Sequence, residues 1–209
     1  PSTLLHIKGA NPVYRIEDNN ETGSGNIVFR DSARETAKIS VASGASASMQ
    51  FQTLGTEAMR IDATGAVTMP LQPAFLAHPS STQSNIAVGS DITVLFATEI
   101  FDQNADFNTA NYTFTAPVTG RYQFNIVYYL ENIDTATGYY YIFFDTSNRN
   151  YFNIISPAFT ADTSYLSLTL SMLVDMDASD TALCKIRQSH GTSQTDISGN
   201  SFFSGYLVA

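Results

Sequence analysis

Side chains that could act as nucleophiles or as acid–base catalysts are few and widely scattered in this sequence. The three histidines are His6, His78 and His190, and none of them stands in a His-x-x-x-His spacing. Nucleophilic catalysis would need a serine on a Gly-x-Ser-x-Gly turn or a cysteine paired with a histidine, and neither pattern occurs. The single cysteine, Cys184, reads as a small buried strand residue. The sequence therefore predicts that the chain is not an enzyme.

Two acidic loops, residues 102–108 and 175–180, have the composition of a calcium site, because calcium prefers several oxygen ligands. Neither loop has the Asp-x-Asp/Asn-x-Asp/Asn-Gly spacing of a known calcium loop. We therefore expect solvated turns and no cofactor. The alternative is a calcium ion held by the carboxylates of Asp102, Asp106, Asp175 and Asp177.

Residues suited to binding a sugar are better represented, since aromatic faces, amides and hydroxyls complement C–H groups and sugar hydroxyls. They occur in one turn and in one loop, and the candidate ligand-binding residues are Asn148, Arg149, Asn150, Tyr151, His190, Thr192 and Gln194. Tyr139 and Tyr141 offer further aromatic surface. The alternative interpretation is that both loops are simply solvated and that the two tyrosines pack between subunits.

The elements that must position these residues are strands. The chain has 14 Phe and 11 Tyr, and only 14% of its residues are charged, which favours half-buried sheets over long amphipathic helices. A net charge of −9 disfavours nucleic acid and anionic lipid as partners. No apolar run approaches the ~18 residues of a membrane span, so we expect no membrane insertion.

The first third of the chain repeats a short unit, an apolar-x-apolar pair followed by polar or small residues. The pairs are Leu5/Ile7, Tyr14/Ile16, Ile27/Phe29, Ile39/Val41, Met49/Phe51, Met59/Ile61 and Val67/Met69. Two inward residues per strand cannot offset the ~1–2 kcal/mol per residue that backbone ordering costs. Three chains around one axis would supply the missing core. We therefore expect residues 1–70 to form an intertwined trimeric β-shaft.

Longer alternating strands begin near residue 73. Residues 71–79 overlap the start of this segment, and we expect them to form a stiff proline-containing junction. Roughly ten strands separated by Asn, Asp, Gly and Thr turns predict a sandwich or jelly roll over residues 73–209. Residues 139–144 are apolar on both faces, so a jelly roll would leave one of these faces uncovered. We therefore expect a trimer interface at Tyr139, Tyr141, Phe143 and Phe203.

Two motifs in this second segment resemble a known family. Phe114–Phe124 follows an F-T-x-P-x-x-G-x-Y-x-F pattern, and residues 201–207 resemble an S-F-S-G-[FY]-L last strand with one extra aromatic residue. Both patterns are similar to those of the complement-component-one-q and tumour-necrosis-factor type of globular head, a trimeric jelly roll. Residues 59–67 resemble the M-R-I-D-x-x-G-x-V segment of phage tail-fibre shafts.

These resemblances imply an all-β homotrimer, a fibre shaft followed by a ten-stranded jelly-roll head. The implied function is adhesion: a tail-fibre tip on the virion, outside the cell, joined to upstream fibre or baseplate proteins. Its partner would be a bacterial surface receptor, either a glycan such as a polysaccharide or an outer-surface protein. The alternatives are a structural trimerisation cap or capsid-decoration module without a ligand, and a fragment whose enzymatic part lies upstream.

Overall fold

The computed structural model describes residues 23–32, 34–42 and 47–209. The chain divides into two compact units, Pro1–Leu71 and Gln72–Ala209. Strands and turns make up the described residues, and none of these residues lies in a helix that is long and apolar enough to cross a membrane. The all-β prediction is therefore confirmed for the part of the chain that the structure describes.

The first unit contains one five-stranded antiparallel sheet, in which each strand pairs with its neighbour in sequence. Its strands are β1 (Ser24–Arg30), β2 (Glu35–Ala42), β3 (Ser48–Thr53), β4 (Thr56–Ile61) and β5 (Val67–Thr68). Ile27 lies opposite Ile39, which lies opposite Phe51, which lies opposite Met59. Since residues opposite each other share a face, the apolar pairs of successive strands form one continuous apolar face.

That apolar face is open in the single chain. Ile27, Val41 and Met49 are 45%, 46% and 40% exposed, and Phe29 is 53% exposed. The first two apolar pairs, Leu5/Ile7 and Tyr14/Ile16, lie outside the described residues. The backbone hydrogen bonds of this sheet are formed between strands that are neighbours in sequence. The trimeric shaft stays a prediction.

Two facing sheets form the second unit. Sheet I has the order β13-β12-β15-β10-β9 with β7 paired to β15, and sheet II has the order β14-β11-β17-β6-β8 with β16 paired to β11. Sheet I contains β7 (Ile92–Thr93), β9 (Phe107–Asn108), β10 (Thr113–Thr115), β12 (Tyr139–Thr146), β13 (Asn150–Ile155) and β15 (Thr181–Ser189). Sheet II contains β6 (Ala74–His78), β8 (Thr98–Asp102), β11 (Gly120–Ile133), β14 (Thr163–Met176), β16 (Asp196–Ile197) and β17 (Phe202–Leu207).

The strand orders given above contain five strands in each sheet, which makes the ten strands that the sequence predicts. The two-residue strands β7 and β16 add one further strand to each sheet. The predicted linker at residues 71–79 needs correction. Ala74–His78 form β6, which pairs with both β17 and β8, so most of this stretch is a strand of sheet II. The prolines bracket the strand, where they remove no ladder hydrogen bond from its interior.

Aromatic rings fill the space between the sheets. Phe75, Phe124 and Phe203 are at most 1% exposed, and the ring centroids of Phe75 and Phe203 lie 4.8 Å apart. Gly205 faces this cluster, and a Cβ at that position would lie 2.8 Å from Cε1 of Phe75. Cys184 is fully buried beside Tyr128, and burial raises the pKa of its thiol well above the usual value.

The first family-like motif connects β10 to β11, and its residues have structural roles. Phe114, Tyr122 and Phe124 are buried, with the Phe114 ring centroid 5.4 Å from each of the other two. The Tyr122 hydroxyl donates a hydrogen bond of 2.7 Å to the carbonyl oxygen of Val118 and so fixes the turn between the strands. The motif therefore maintains the sandwich and does not form a site.

The last residues of the chain are held by backbone hydrogen bonds. Arg121 N donates to the Ala209 carbonyl oxygen and Val208 N donates to the Arg121 carbonyl oxygen, both at 2.7 Å. β17 lies between β11 and β6 in the middle of sheet II. The alternating pattern of residues 201–207 indicates a strand tied into a sheet, and the structure confirms it.

Candidate functional site

The outer face of sheet I contains the best-formed candidate site. Along β12, Tyr140, Ile142 and Phe144 point into the core and are completely buried, whereas the alternate residues point outwards. This alternation follows from the two-residue period of a strand. A cleft of about 360 Å³ lies on the outward face, and we call it the aromatic cleft. Its lining residues are Asp91, Tyr139, Tyr141, Asn150, Ile154 and Arg187.

Strand register brings the polar and aromatic groups of the aromatic cleft together. Tyr141 on β12 lies opposite Arg187 on β15 and opposite Ile154 on β13. Arg187 Nε donates a hydrogen bond of 2.7 Å to Oδ1 of Asp91, and this bond raises the pKa of the guanidinium. Burial, followed by the charge of Asp91, raises the pKa of Tyr141, so its hydroxyl is a neutral donor and acceptor at neutral pH.

Neighbouring rings fix the orientation of Tyr141. Its ring centroid lies 4.7 Å from that of Phe143 and 5.1 Å from that of Phe152. Phe143 is only 2% exposed, whereas Phe152 is 54% exposed and Ile154 is 51% exposed. The cleft thus combines a supported aromatic surface with a phenol, an amide and an ion pair. Binding sites for small ligands likewise combine apolar and aromatic surface with a few placed polar groups.

The other residues of the predicted 148–151 turn contact an acidic hairpin of the same chain. Arg149 Nη2 donates to Oδ2 of Asp175 at 2.8 Å, and the Tyr151 hydroxyl donates to the other oxygen of that carboxylate. Asn148 Nδ2 donates to Oδ2 of Asp180 at 2.8 Å. The hydrogen bond from Tyr151 is the main reason that the pKa of Asp175 is below its usual value. These three side chains hold the turn in place, so only Asn150 lines the cleft.

Hydrogen bonds to Asp134 and Gln188 hold the predicted loop at residues 189–194 in place. Thr192 donates to Oδ2 of Asp134 through its backbone N at 2.6 Å and through its hydroxyl at 2.7 Å. Gln188 is fully buried, and its Nε2 donates to the carbonyl oxygens of His190 and Thr192. His190 is exposed, with φ of 64° and its Nδ1 2.6 Å from the Ser189 hydroxyl.

Gln194 lines a second depression of about 350 Å³, which we call the polar cleft. Its lining residues are Asn85, Asn132, Asp162, Thr163, Ser164 and Gln194. Four separate segments of the chain contribute these residues, and no aromatic or cationic side chain is among them. The structure therefore places Gln194 in one cleft and Asn150 in another, although the sequence predicts them as parts of one ligand-binding set.

The acidic residues considered for calcium serve as turn caps. Asp102 accepts the backbone N–H groups of Asp106 and Phe107, and Asp106 accepts a hydrogen bond from Asn104 Nδ2. Asp175 is engaged by Arg149 and Tyr151. In the part of the chain that the structure describes, no group of three His, Cys, Asp or Glu side chains could hold a metal ion. A calcium ion held by Asp102, Asp106, Asp175 and Asp177 stays an untested alternative.

One predicted interface residue requires correction. Phe203 has no exposed surface and packs against Phe75, Phe107, Phe124 and Phe144, so it belongs to the core of its own chain. β17 alternates, and the side chains of Phe202, Ser204 and Tyr206 are the ones on the outer face of sheet II. Phe143 also needs no partner chain, since neighbours within sheet I already cover it.

The outer face of sheet II is apolar in a region that the sequence reasoning missed. Its exposed large side chains are Phe101 at 49%, Val127 at 39%, Tyr165 at 62%, Leu173 at 52% and Tyr206 at 48%. Register aligns Leu173, Gln123 and Tyr206 in one row. Between the apolar residues, Gln123 Nε2 donates to Ser171 Oγ at 2.9 Å and Ser171 Oγ donates to Asn125 Oδ1 at 2.8 Å. Gln123, Ser171 and Asn125 thus have hydrogen-bond partners within this face.

Asp91 and Arg187 of the aromatic cleft were also missed, because they are distant in sequence from β12. Only the pairing of β15 with both β7 and β12 places them beside Tyr141. The alternation of apolar and charged residues on β15 was the available signal for Arg187, since Cys184 and Ile186 point inwards and their neighbours must point outwards.

Comparison with known proteins identifies the second unit. The C1q domain matches residues 74–208. The globular domain of zebrafish complement 1qA protein superposes with a TM-score of 0.50 at 17% identity, over 66% of this chain and 98% of that chain. Murine APRIL at pH 5.0 gives a TM-score of 0.47 at 15% identity, over 66% and 99% of the two chains. The PRD1 vertex protein P5 gives 0.46 at 11% identity, over 66% and 96%.

At these identities the first likeness concerns the fold alone, and the other two are too distant to carry an argument about function. No curated protein sequence matches this chain significantly.

Proposed function

The chain belongs to the C1q domain family, and from this premise we propose that it is a homotrimeric adhesion module from the end of a phage tail fibre. Domains of this family are typically non-enzymatic structural or ligand-binding modules. We assign the ligand-binding role to the head and propose a bacterial surface glycan as its ligand. The protein would then act outside the cell, on the virion, joined to upstream fibre or baseplate proteins.

The observation that carries this proposal is the aromatic cleft. Tyr139 and Tyr141 present ring surface beside the Asp91–Arg187 pair and the Asn150 amide, in a cleft of about 360 Å³. A pyranose has apolar C–H faces and a rim of hydroxyls, and this lining offers a complementary surface to both. The lining of the cleft does not favour catalysis, since it contains no nucleophile and no pair of carboxylates.

The outer face of sheet II supports the homotrimer. It has exposed Val127, Leu173 and Tyr206, and the polar groups among them already hydrogen-bond to one another. The outer face of sheet I carries the Lys185–Asp145 and Arg187–Asp91 ion pairs in the middle of β15, whereas Arg121 and Asp175 of sheet II lie near strand ends. Charged residues are depleted at the cores of interfaces. We therefore place self-association on sheet II, which leaves the aromatic cleft open to a ligand on each subunit.

The open apolar face of the first unit supports the shaft. Three copies joined through their heads would bring three of these faces near one axis, where each could cover the others. The resemblance of residues 59–67 to tail-fibre shafts supports the assignment to a fibre. Three identical sites on one tip, and several fibres on a particle, would convert modest affinity into firm attachment through effective concentration.

Binding of the intact chain to a glycan array and to host cells tests the proposal. We expect saturable binding that Tyr141→Ala and Tyr139→Ala reduce by about tenfold or more, as the loss of about 1.4 kcal/mol would produce. Tyr112→Ala is the matched control, because Tyr112 lies in the turn before β10 and outside the aromatic cleft. Binding that is unaffected by both cleft variants would contradict the assignment of the site.

The second candidate function is a trimerisation cap or capsid-decoration module without a ligand. The extensive core of the second unit favours it, because a rigid domain that trimerises would hold the shaft strands in register. A protein that forms trimers but binds neither glycans nor cells of the correct host would support this function over adhesion.

A further inference from the structure

We propose that the polar cleft is a second saccharide subsite, selective for neutral or amino sugars, and that one oligosaccharide chain occupies it together with the aromatic cleft. This inference rests on the proposed adhesion function. The cleft of about 350 Å³ is lined only by amides, hydroxyls and one carboxylate: Asn85, Asn132, Asp162, Thr163, Ser164 and Gln194.

Hydrogen bonds to two carboxylates hold part of the polar cleft in place. Both oxygens of Asp196 are engaged, Oδ1 by the backbone N of Asn85 at 2.7 Å and Oδ2 by Asn132 Nδ2 at 2.8 Å. Both oxygens of Asp162 are engaged, Oδ1 by Thr135 N at 2.9 Å and Oδ2 by Gln194 Nε2 at 3.3 Å. The side-chain amides of Asn132 and Gln194 are thus each held by a carboxylate before any ligand arrives, which reduces the entropy lost on binding.

Hydrogen-bonding capacity remains on these fixed groups. Asn132 uses one N–H of its amide, so its second N–H and its carbonyl oxygen are available. Within the part of the chain that the structure describes, the side chains of Asn85 and Ser164 have no hydrogen-bond partner. A sugar hydroxyl both donates and accepts, and adjacent amide and hydroxyl groups satisfy both roles.

The charge of the cleft determines which sugars fit. Asp162 lines it, and Asp196 lies directly behind Asn85 and Asn132. Lysine and arginine are absent from the lining residues, so the carboxylate of a uronic or sialic acid would meet negative charge without a compensating cation. Neutral sugars meet no such repulsion, and the ammonium group of an amino sugar would be attracted.

The two clefts take lining residues from the two ends of the same pair of loops. Asn132 and Tyr139 flank the turn between β11 and β12, seven residues apart in sequence, so their Cα atoms are at most about 25 Å apart. Arg187 and Gln194 likewise flank the loop after β15. Gly138 N donates to Ser189 O at 2.7 Å and joins the two loops. An oligosaccharide that crosses these two loops, over a span of at most about 25 Å, would reach both clefts.

Four variants of the full chain test the inference on an array of neutral, amino and anionic oligosaccharides of graded length. Gln194→Ala removes a polar contact and Ser164→Phe fills the polar cleft. Each is expected to weaken binding of the best long glycan by about tenfold, while changing binding of a mono- or disaccharide by less than about twofold. Thr115→Phe, on an exposed position of β10 outside both clefts, is the matched control and keeps full affinity. Asp162→Asn is expected to raise the signal of anionic glycans relative to neutral ones.

The outcomes separate this inference from the proposed function. Normal binding of long glycans by Gln194→Ala and Ser164→Phe, together with loss of binding in Tyr141→Ala, would overturn the second subsite and leave adhesion through the aromatic cleft intact. An unchanged glycan preference in Asp162→Asn would overturn the charge selectivity. A wild-type chain that binds no glycan would overturn both proposals. Thermal melting of each variant verifies that it is folded.

Discussion

Gly205 shows how a single residue determines the packing of the head. Its Cα faces the Phe75 and Phe124 rings, and an added Cβ would lie 2.8 Å from Phe75 Cε1. We expect Gly205→Ala to lower the free energy of unfolding by about 1–3 kcal/mol, because buried rings cannot move aside without strain. Gly199→Ala is the control, since its Cβ would have no neighbour nearer than 3.7 Å. Urea denaturation measures both, and equal stability of the two variants would contradict the overpacking explanation.

Asp175 gives the second prediction at the residue scale, a dependence of stability on pH. Its pKa is lowered in the folded chain, chiefly by the hydrogen bond from Tyr151. A lowered pKa means that the stabilisation is present above the unfolded value of about 3.9 and is lost as the pH falls through the folded value. Asp175→Asn should therefore be less stable than wild type at pH 7, and the difference should shrink towards pH 3. Chemical denaturation at both values measures this.

The control for this prediction is Asp177→Asn in the same hairpin. Asp177 is exposed, and its hydrogen bonds with Asp180 are made by its backbone N and its carbonyl oxygen. Its substitution should change stability little at either pH. A stability difference between wild type and Asp175→Asn that grows on acidification would have the wrong sign and would refute the linkage.

At the scale of elements, β11 and β17 should be the most protected strands. β11 is paired with β14 on one side and β17 on the other, and β17 is paired with β11 and β6. β13 is an edge strand of sheet I, paired only with β12. Hydrogen exchange followed by mass spectrometry should show slow exchange in β11 and β17 and fast exchange in β13. Slow exchange throughout β13 would indicate that another chain pairs with this edge.

Strand alternation made many elements of the head predictable from sequence. Tyr122, Phe124, Ile126, Tyr128 and Leu130 occupy every second position of the sequence there, and all five are buried on the inner face of β11. The prediction that Phe203 lies at the trimer interface was wrong, because alternation gives two faces without saying which one is inside. Gly205 and Phe124 resolve this, since they meet in the core directly opposite each other.

The candidate site was only partly predictable for a related reason. Tyr139, Tyr141 and Asn150 could be named from residue type, but Asp91 and Arg187 reach the same cleft through pairings between distant strands. Asn148, Arg149 and Tyr151 have suitable chemistry, and their contacts with Asp175 and Asp180 use it within the chain. Residue type identifies what a side chain can do, whereas register decides whether a ligand can reach it.

For the whole molecule, the prediction is a trimer held by sheet II. Native mass spectrometry should give three times the chain mass of 22.7 kDa. Val127→Arg and Tyr206→Arg should reduce the mass to that of a single folded chain, because an unpaired arginine at an interface core is costly. Val118→Arg is the control, since Val118 is 46% exposed in the turn before β11. Intact trimers in both sheet II variants would exclude this face.

The two units differ in how far they depend on this assembly. The second unit has its own continuous core, from Phe75 to Phe203, so the head should fold without partners. The argument that one chain has too little apolar surface to fold alone therefore applies only to the first unit, whose apolar face is open.

The buried position of Cys184 makes site-specific labelling straightforward. It is the single cysteine of the chain, it lies in the core, and burial disfavours the thiolate that reacts with maleimides. A cysteine introduced at Asn150 would then be the one reactive thiol, placed at the rim of the aromatic cleft. A fluorophore attached there would report ligand capture on intact particles in real time.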